Sequence, residues 1–401
     1  MGNLAWRFGD NEYAYIKEVL DSGFASGTSG SMNSRLEAAF AKTFGQKYAV
    51  TFNSGTTTLH AALWALGVRY GDEVIIPSLT VISCMNAVLY CNAIPVFADI
   101  DPDTFIIDPE DIKKKITANT KVIMPVHLYG QVANMTEIMG IAKKYNLKVL
   151  EDSAQNYLGT HKNKLGGTFG DAGSWSFENS KHITTGDGGI IACNDEGLAT
   201  KIRKLNSQGF RNATAISGKI RISKELFQNP SYKRHDSYGF MYRLPEVAAA
   251  LGLAQLEKIN LFVEKREKMA RKYKEVIKTA DCKWLIPQFT PEGDRNSYYT
   301  FAAKYEKNDV DWVDFRKKYV ENGGDGIYAA WALTYQEDSI AEVKQLLDSM
   351  HLKGRLITEK GICPHAEAIQ PKLMQFTTNQ KDEDEMNNQA EILYKTIRYF
   401  S

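Results

Sequence analysis

Lys181 sits in a setting unlike that of an ordinary surface lysine, GSWSFENSKHITTGDGG at Gly173–Gly189. Gly173, Ser174 and Ser176 alternate there with Trp175 and Phe177. That two-residue period predicts a short strand with one bulky face and one face open to a ligand. A lysine just beyond such a strand, among Ser, Thr and Gly, is a candidate for a lowered amine pKa and Schiff-base chemistry. Taken alone, the position more often belongs to an exposed lysine at a loop tip, so the choice rests on residues elsewhere.

Two other stretches bear on that choice. In NSGTTTLHAALWALG, a Gly/Ser/Thr turn opens a helix running to about Leu66, and amides at such a helix start can hold an anion through Gly55, Thr56 and Thr57. A plain N-cap by Ser54 or Thr56 is the alternative use of the same residues. In LEDSAQN, Asp152 follows the apolar pair Val149 and Leu150, where an ionised carboxylate is costly unless a cation or donor meets it. A helix N-cap is again the alternative for Asp152. Taken jointly, an amine, a buried carboxylate and a phosphate-gripping turn match pyridoxal 5'-phosphate, which needs a Schiff-base partner, a counter-ion for its ring nitrogen and an anchor for its phosphate.

These residues need elements to position them. Apolar runs predict strands at 48–52, 73–77, 94–98, 121–126 and 148–151, separated by helices at 81–90, 109–116 and 135–145. The rhythm predicts an α/β fold with a mainly parallel sheet sandwiched by helices. Ligands of such sheets gather at the carboxyl ends of the strands, where His127, Asp152, Gln155, Lys181 and the Gly55 turn all fall. Helices at 11–22, 36–44 and 198–205 flank this core. A helical stretch at 244–278 leads into a smaller α+β C-terminal domain, with a strand at 298–305, a helix at 310–322 and a terminal amphipathic helix. Domains of 1–250 and 251–401 are expected.

A chain of 401 residues with 49 basic and 48 acidic side chains carries a net charge of +1. No bulk electrostatic pull toward nucleic acid or a membrane surface follows. Five cysteines without CxxC spacing, and an N-terminus without an apolar h-region, predict reduced thiols and a cytoplasmic protein. No metal-ligand spacing is evident. The 209–236 segment is rich in cations, including Arg211, Lys219, Arg221, Lys233 and Arg234. It suits either a solvated loop or a grip on a substrate diphosphate.

The motifs NSGTTTLHAAL, GDEVIIPSLT, PVFADIDPDTF, PVHLYGQ, LEDSAQ, SFENSKHITTGDGG and RLPEVAAALGLAQLEKI, in this order over nearly the whole chain, resemble the DegT-type nucleotide-sugar aminotransferase family of fold-type I pyridoxal phosphate enzymes. The resemblance implies that Lys181 forms the Schiff base, Asp152 pairs with the pyridine nitrogen, Gln155 contacts the ring hydroxyl, and Gly55, Thr56 and Ser176 bind the phosphate. It implies transfer of an amino group from glutamate, by way of pyridoxamine phosphate, to a nucleotide-linked keto sugar of the 4-keto-6-deoxy type. Such a step serves amino sugar and polysaccharide biosynthesis, in a homodimer with the site at its interface. Sugar dehydratases of the family carry histidine where this chain has Lys181, which favours transamination over that alternative; a cofactor-binding regulator without turnover is the third possibility. His127, Lys233, Arg234 and Arg243 are the expected substrate contacts. Two positions depart from the family pattern: Val81 stands where an aromatic ring commonly stacks on the pyridine, and Met241 replaces an asparagine that reaches the neighbouring subunit's cofactor phosphate.

Overall fold

The computed structural model describes residues 4–220 and 222–401. Arg221 of the cationic segment, and the first three residues of the N-terminus, therefore lie outside the described residues. The strands, in chain order, are β1 (Tyr48–Phe52), β2 (Glu73–Pro77), β3 (Ile94–Ala98), β4 (Thr120–Ile123), β5 (Lys148–Asp152), β6 (Thr160–His161), β7 (Lys164–Leu165), β8 (Ala172–Ser176), β9 (Gly189–Cys193), β10 (Leu285–Pro287), β11 (Phe301–Tyr305), β12 (Ile327–Ala329) and β13 (Leu373–Phe376).

Seven of them form one sheet in the order β1-β9-β8-β5-β4-β2-β3. The pairings from β8 to β3 are parallel, and β9 runs antiparallel to both its neighbours. The sheet is thus mainly parallel, as expected, with one reversed strand. β9 reverses because only the loop 177–188 joins it to β8, too short for the crossover helix that a parallel neighbour requires. That short loop carries Lys181.

Strand β8 shows how side-chain alternation builds the site. Trp175 and Phe177 are fully buried against helix Met32–Thr43, with the Trp175 ring 5.0 Å from Phe40 and 4.8 Å from Phe44. Ser174 and Ser176 face the other way, toward helix Gly55–Ala65, where the Ser174 hydroxyl lies 2.6 Å from that of Thr58. Large rings on one side hold the strand, and small hydroxyls on the other leave room for a ligand.

The C-terminal part contains a four-stranded antiparallel sheet, β10-β11-β13-β12. Its apolar core begins part-way along helix Ile259–Thr279: Ile259, Phe262 and Val263 pack with the large domain, whereas Met269, Ala270, Tyr273 and Ile277 pack with the small sheet. The core division therefore falls inside this helix and not near residue 250. Residues from Leu333 to Ile369 return to the core of the large sheet. No helix among the described residues is long and apolar enough to cross a membrane.

Candidate active site

A cavity of about 320 Å³ opens at the carboxyl ends of the central strands. Lys181, Asp152, Gly55, Thr56 and Ser176 all line it, joined by Ser83, Glu178, Ser180, Tyr299 and Trp331. The Lys181 ammonium lies 4.7 Å from the centre of the Tyr299 ring, which comes from the small domain.

Two adjacent acids at the end of β5 explain the chemistry. Strand alternation sends Glu151 and Asp152 to opposite faces, and both are buried. Glu151 is fully partnered: it accepts from the amides of Gly167, Phe169 and Gly170 and lies 2.9 Å from His127 Nε2. Asp152 receives one amide, from Ala154 at 2.9 Å, and the thiol of Cys84 at 3.3 Å. Burial raises the Asp152 carboxyl above the ordinary range, opposed by these two donors and by the charge of Lys181. Burial also pushes the Cys84 thiol well above its usual range, with Asp152 adding to the effect, so it stays a neutral donor. A buried carboxylate that lines this cavity and forms no ion pair among the described residues suits the N–H of a protonated pyridine ring.

The phosphate end is equally specific. Ser54 caps helix Gly55–Ala65 by accepting from the Thr57 amide, which leaves the amides of Gly55 and Thr56 free of intrahelical acceptors. A Cβ on Gly55 would meet the Ser176 Cβ at 2.8 Å, so only glycine lets this turn approach β8 so closely. Thr56 Oγ1 donates to Ser83 Oγ at 2.9 Å. Amides at a helix start with three hydroxyls around them suit a dianionic phosphate. Together with the Asp152 environment, these residues fit pyridoxal phosphate.

Several expected contacts are placed elsewhere. His127 is a correction: it is fully buried, its Nε2 faces Glu151 and its Nδ1 accepts from the Ala133 amide, so neither nitrogen is left for a substrate. Thr57 turns its hydroxyl back onto Asn53 and the Ser54 carbonyl and does not line the cavity. Gln155 stands behind the wall, accepting from the Tyr129 amide. Lys233 is exposed, and Arg234 lines a different cavity with Ser26, Thr28, Phe227 and Tyr232. Arg243 is likewise outside the lysine cavity; its Nη2 touches Met241 sulfur at 3.0 Å, and its Nη1 is buried with no partner. Val81 does line the cavity, offering an aliphatic face where a ring was the usual expectation. His182, next to the lysine, is buried and lies 2.9 Å from the Ser297 carbonyl through Nε2; burial first, then the charge of Arg266, drives its pKa well below the usual value. It is a neutral structural donor.

The description "DegT/DnrJ/EryC1/StrS aminotransferase family" matches residues 7–337. The chain belongs to this family. It is 41% identical over 271 residues to a GDP-perosamine synthase of Caulobacter vibrioides, covering 68% of each chain. To the spore coat polysaccharide biosynthesis protein SpsC of Bacillus subtilis it is 34% identical over 299 residues, 75% of this chain and 74% of that one. Among solved structures it superposes on the aminotransferase of Psychrobacter cryohalolentis with a TM-score of 0.85 at 27% identity, covering 98% of both chains. A GDP-4-keto-6-deoxymannose-3-dehydratase with bound GDP-perosamine matches with a TM-score of 0.81 at 27% identity, over 96% of this chain and 98% of that one. This member of the family is a pyridoxal phosphate-dependent sugar aminotransferase, and its fold is that of the fold-type I enzymes.

Replacing Asp152 by Asn preserves size and the Ala154 contact but removes the charge that a ring N–H would meet. Turnover of the cofactor-loaded Asp152→Asn protein should fall on the order of 10²–10³-fold, the scale of losing one preorganised electrostatic contact. Steady-state kcat measures it, and a decrease of less than about ten-fold would remove Asp152 from the ring-nitrogen role.

Proposed function

We propose that this aminotransferase moves an amino group from glutamate to the keto carbon of a nucleoside-diphosphate-linked 4-keto-6-deoxy sugar. One observation carries the reading. The lysine cavity shares Glu178, Ser180, Tyr299 and Trp331 with a second cavity of about 420 Å³, reaching Thr300, Tyr328, Gln375 and Asn379 of the small domain. This adjoining space supports a substrate larger than an amino acid beside the reactive amine. The names of the relatives, GDP-perosamine synthase above all, support a nucleotide-linked amino sugar as product.

In this reading each residue has a defined task. Bound pyridoxal phosphate supplies the electron sink for breaking the bond between Cα and hydrogen. Lys181 Nζ is the amine that would hold the cofactor, and when free it would take and return the proton. Asp152 keeps the ring nitrogen protonated, while Gly55, Thr56, Ser176 and Ser83 hold the phosphate. Gln155, one layer back, orients the Tyr129 segment beside the ring. We place the reaction in the cytoplasm, in keeping with five cysteines that are all unpaired and buried.

The same proposal includes a homodimer with the site at its interface. Arg243 Nη1, buried without a partner, is a donor awaiting an acceptor, and Lys233 and Arg234 are cations that do not reach the lysine cavity of their own chain. A second subunit's substrate diphosphate would satisfy them. Mixing Lys181→Ala with Arg243→Met protein, each inactive alone, should restore up to about a quarter of parent activity if each site draws on two chains, since a statistical mixture leaves one intact site in half the dimers. No recovery, with dimers verified by sedimentation, would return Arg243 to a role within its own chain.

The reaction itself is tested by colour. The purified holoprotein should lose its visible absorbance on adding glutamate and regain it with GDP-4-keto-6-deoxymannose, releasing an amino sugar nucleotide. Failure of glutamate to bleach it would contradict the donor assignment, and a deoxygenated product in place of an aminated one would establish the dehydratase alternative.

A further inference from the structure

Two arginines lie under the Lys181 loop. Arg7, on the N-terminal turn Leu4–Arg7, donates to the carbonyls of Asn179 at 3.0 Å, Lys181 at 2.7 Å and His182 at 2.9 Å. Arg266, on helix Ile259–Thr279, donates to the carbonyl of Ser180 at 3.3 Å, and also to Tyr299 O at 2.7 Å and Thr378 Oγ1 at 3.1 Å. Four consecutive carbonyls, 179 through 182, are thus held by two guanidinium groups, one from the N-terminal turn and one from helix Ile259–Thr279.

Neither arginine forms an ion pair with a carboxylate among the described residues, yet both are buried, at 3% and 5% exposure. Burying two like charges near each other costs several kcal/mol per ion unless other contacts repay it. Burial lowers Arg7 to about 10, opposed by the charge of Glu178, and burial first, then the charge of Arg7, lowers Arg266 to about 9. Both still remain cationic near neutral pH. The Arg7 backbone is anchored in turn: Gln255 and Lys258 donate to its carbonyl. A simple structural loop could satisfy its carbonyls with neutral amides at far lower cost.

We propose that Arg7 and Arg266 are positioning residues for Lys181, which fix the carbonyls of its loop so that the amine is held at the point where it meets the cofactor aldehyde. The planar fork of each guanidinium matters here, because one rigid group can hold carbonyls of successive residues at once. The Arg266 contact to Tyr299 O extends the same restraint to the ring over which the Lys181 amine lies. This inference rests on Lys181 being the covalent attachment point.

The test compares two ligands in the apoprotein. Covalent capture of pyridoxal phosphate requires a placed amine, whereas pyridoxamine phosphate binds the same pocket without it. Arg7→Met and Arg266→Met should slow capture, read by absorbance after mixing, by about ten-fold or more, the scale of a misplaced reacting group. Their affinity for pyridoxamine phosphate should stay within about two-fold of the parent, as expected when ground-state binding is untouched. Arg→Lys at each position, which keeps charge but loses the fork, should give an intermediate rate, and it replaces the Met variant where that one does not fold. Unchanged capture, or parallel loss of capture and pyridoxamine phosphate binding, would overturn the positioning role. Lys181→Ala serves as the control: capture that persists in it would unseat the lysine itself, and not the arginines.

Discussion

The site depends on one electrostatic imbalance at the end of β5. Glu151 and Asp152 are neighbours in sequence and both buried, but the protein gives Glu151 three amides and a histidine and gives Asp152 an amide and a thiol. A carboxylate buried in this state is unfavourable until something cationic meets it. The same cavity is lined by the glycine turn, by the hydroxyls of Thr56, Ser83 and Ser176, and by Lys181 and Tyr299. The thiol of Cys84 donates weakly to one carboxylate oxygen without supplying charge, and burial keeps it neutral.

Positioning then follows from strand alternation and from the single reversed strand. Trp175 and Phe177 lock β8 against helix Met32–Thr43, which fixes Ser176 beside Gly55. The turn back into β9 is short, so Lys181 cannot wander far from the end of β8. The lysine loop is then tied from below by Arg7 and Arg266, which reach it from the N-terminal turn and from the helix that spans both cores. The cofactor site is thus assembled from the large domain, while the small domain contributes Tyr299 and Trp331 to its mouth.

Much of this was legible in the sequence because it is local. The strands at 48–52, 73–77 and 94–98 match the expected ranges, since continuous apolar runs bounded by turns leave little choice of register. The glycine turn, Asp152 and the alternating serines were readable for the same reason: each signal lies within a few residues of its own element. What was not legible arises from long-range packing. His127 looks like a site residue by position, but its partner Glu151 lies 24 residues away and consumes it. Arg7, Arg266 and Tyr299 carry no local signature, because their roles exist only once segments 86 or more residues apart are brought together. Ser83 was within reach: it begins the helix after PSLT, facing the turn that Thr56 opens. The reversed β9 and the return of residues 333–369 to the large core likewise reflect tertiary choices that periodicity does not encode.

The central claim is that Lys181 is the one amine that holds the cofactor. Borohydride reduction of the holoprotein makes that attachment permanent, and peptide mapping by mass spectrometry then locates it. One cofactor-derived adduct per chain is expected, carried on Lys181 and absent from the other lysines. An adduct on a different lysine, or reduction that leaves Lys181 unmodified while the colour is discharged, would contradict it.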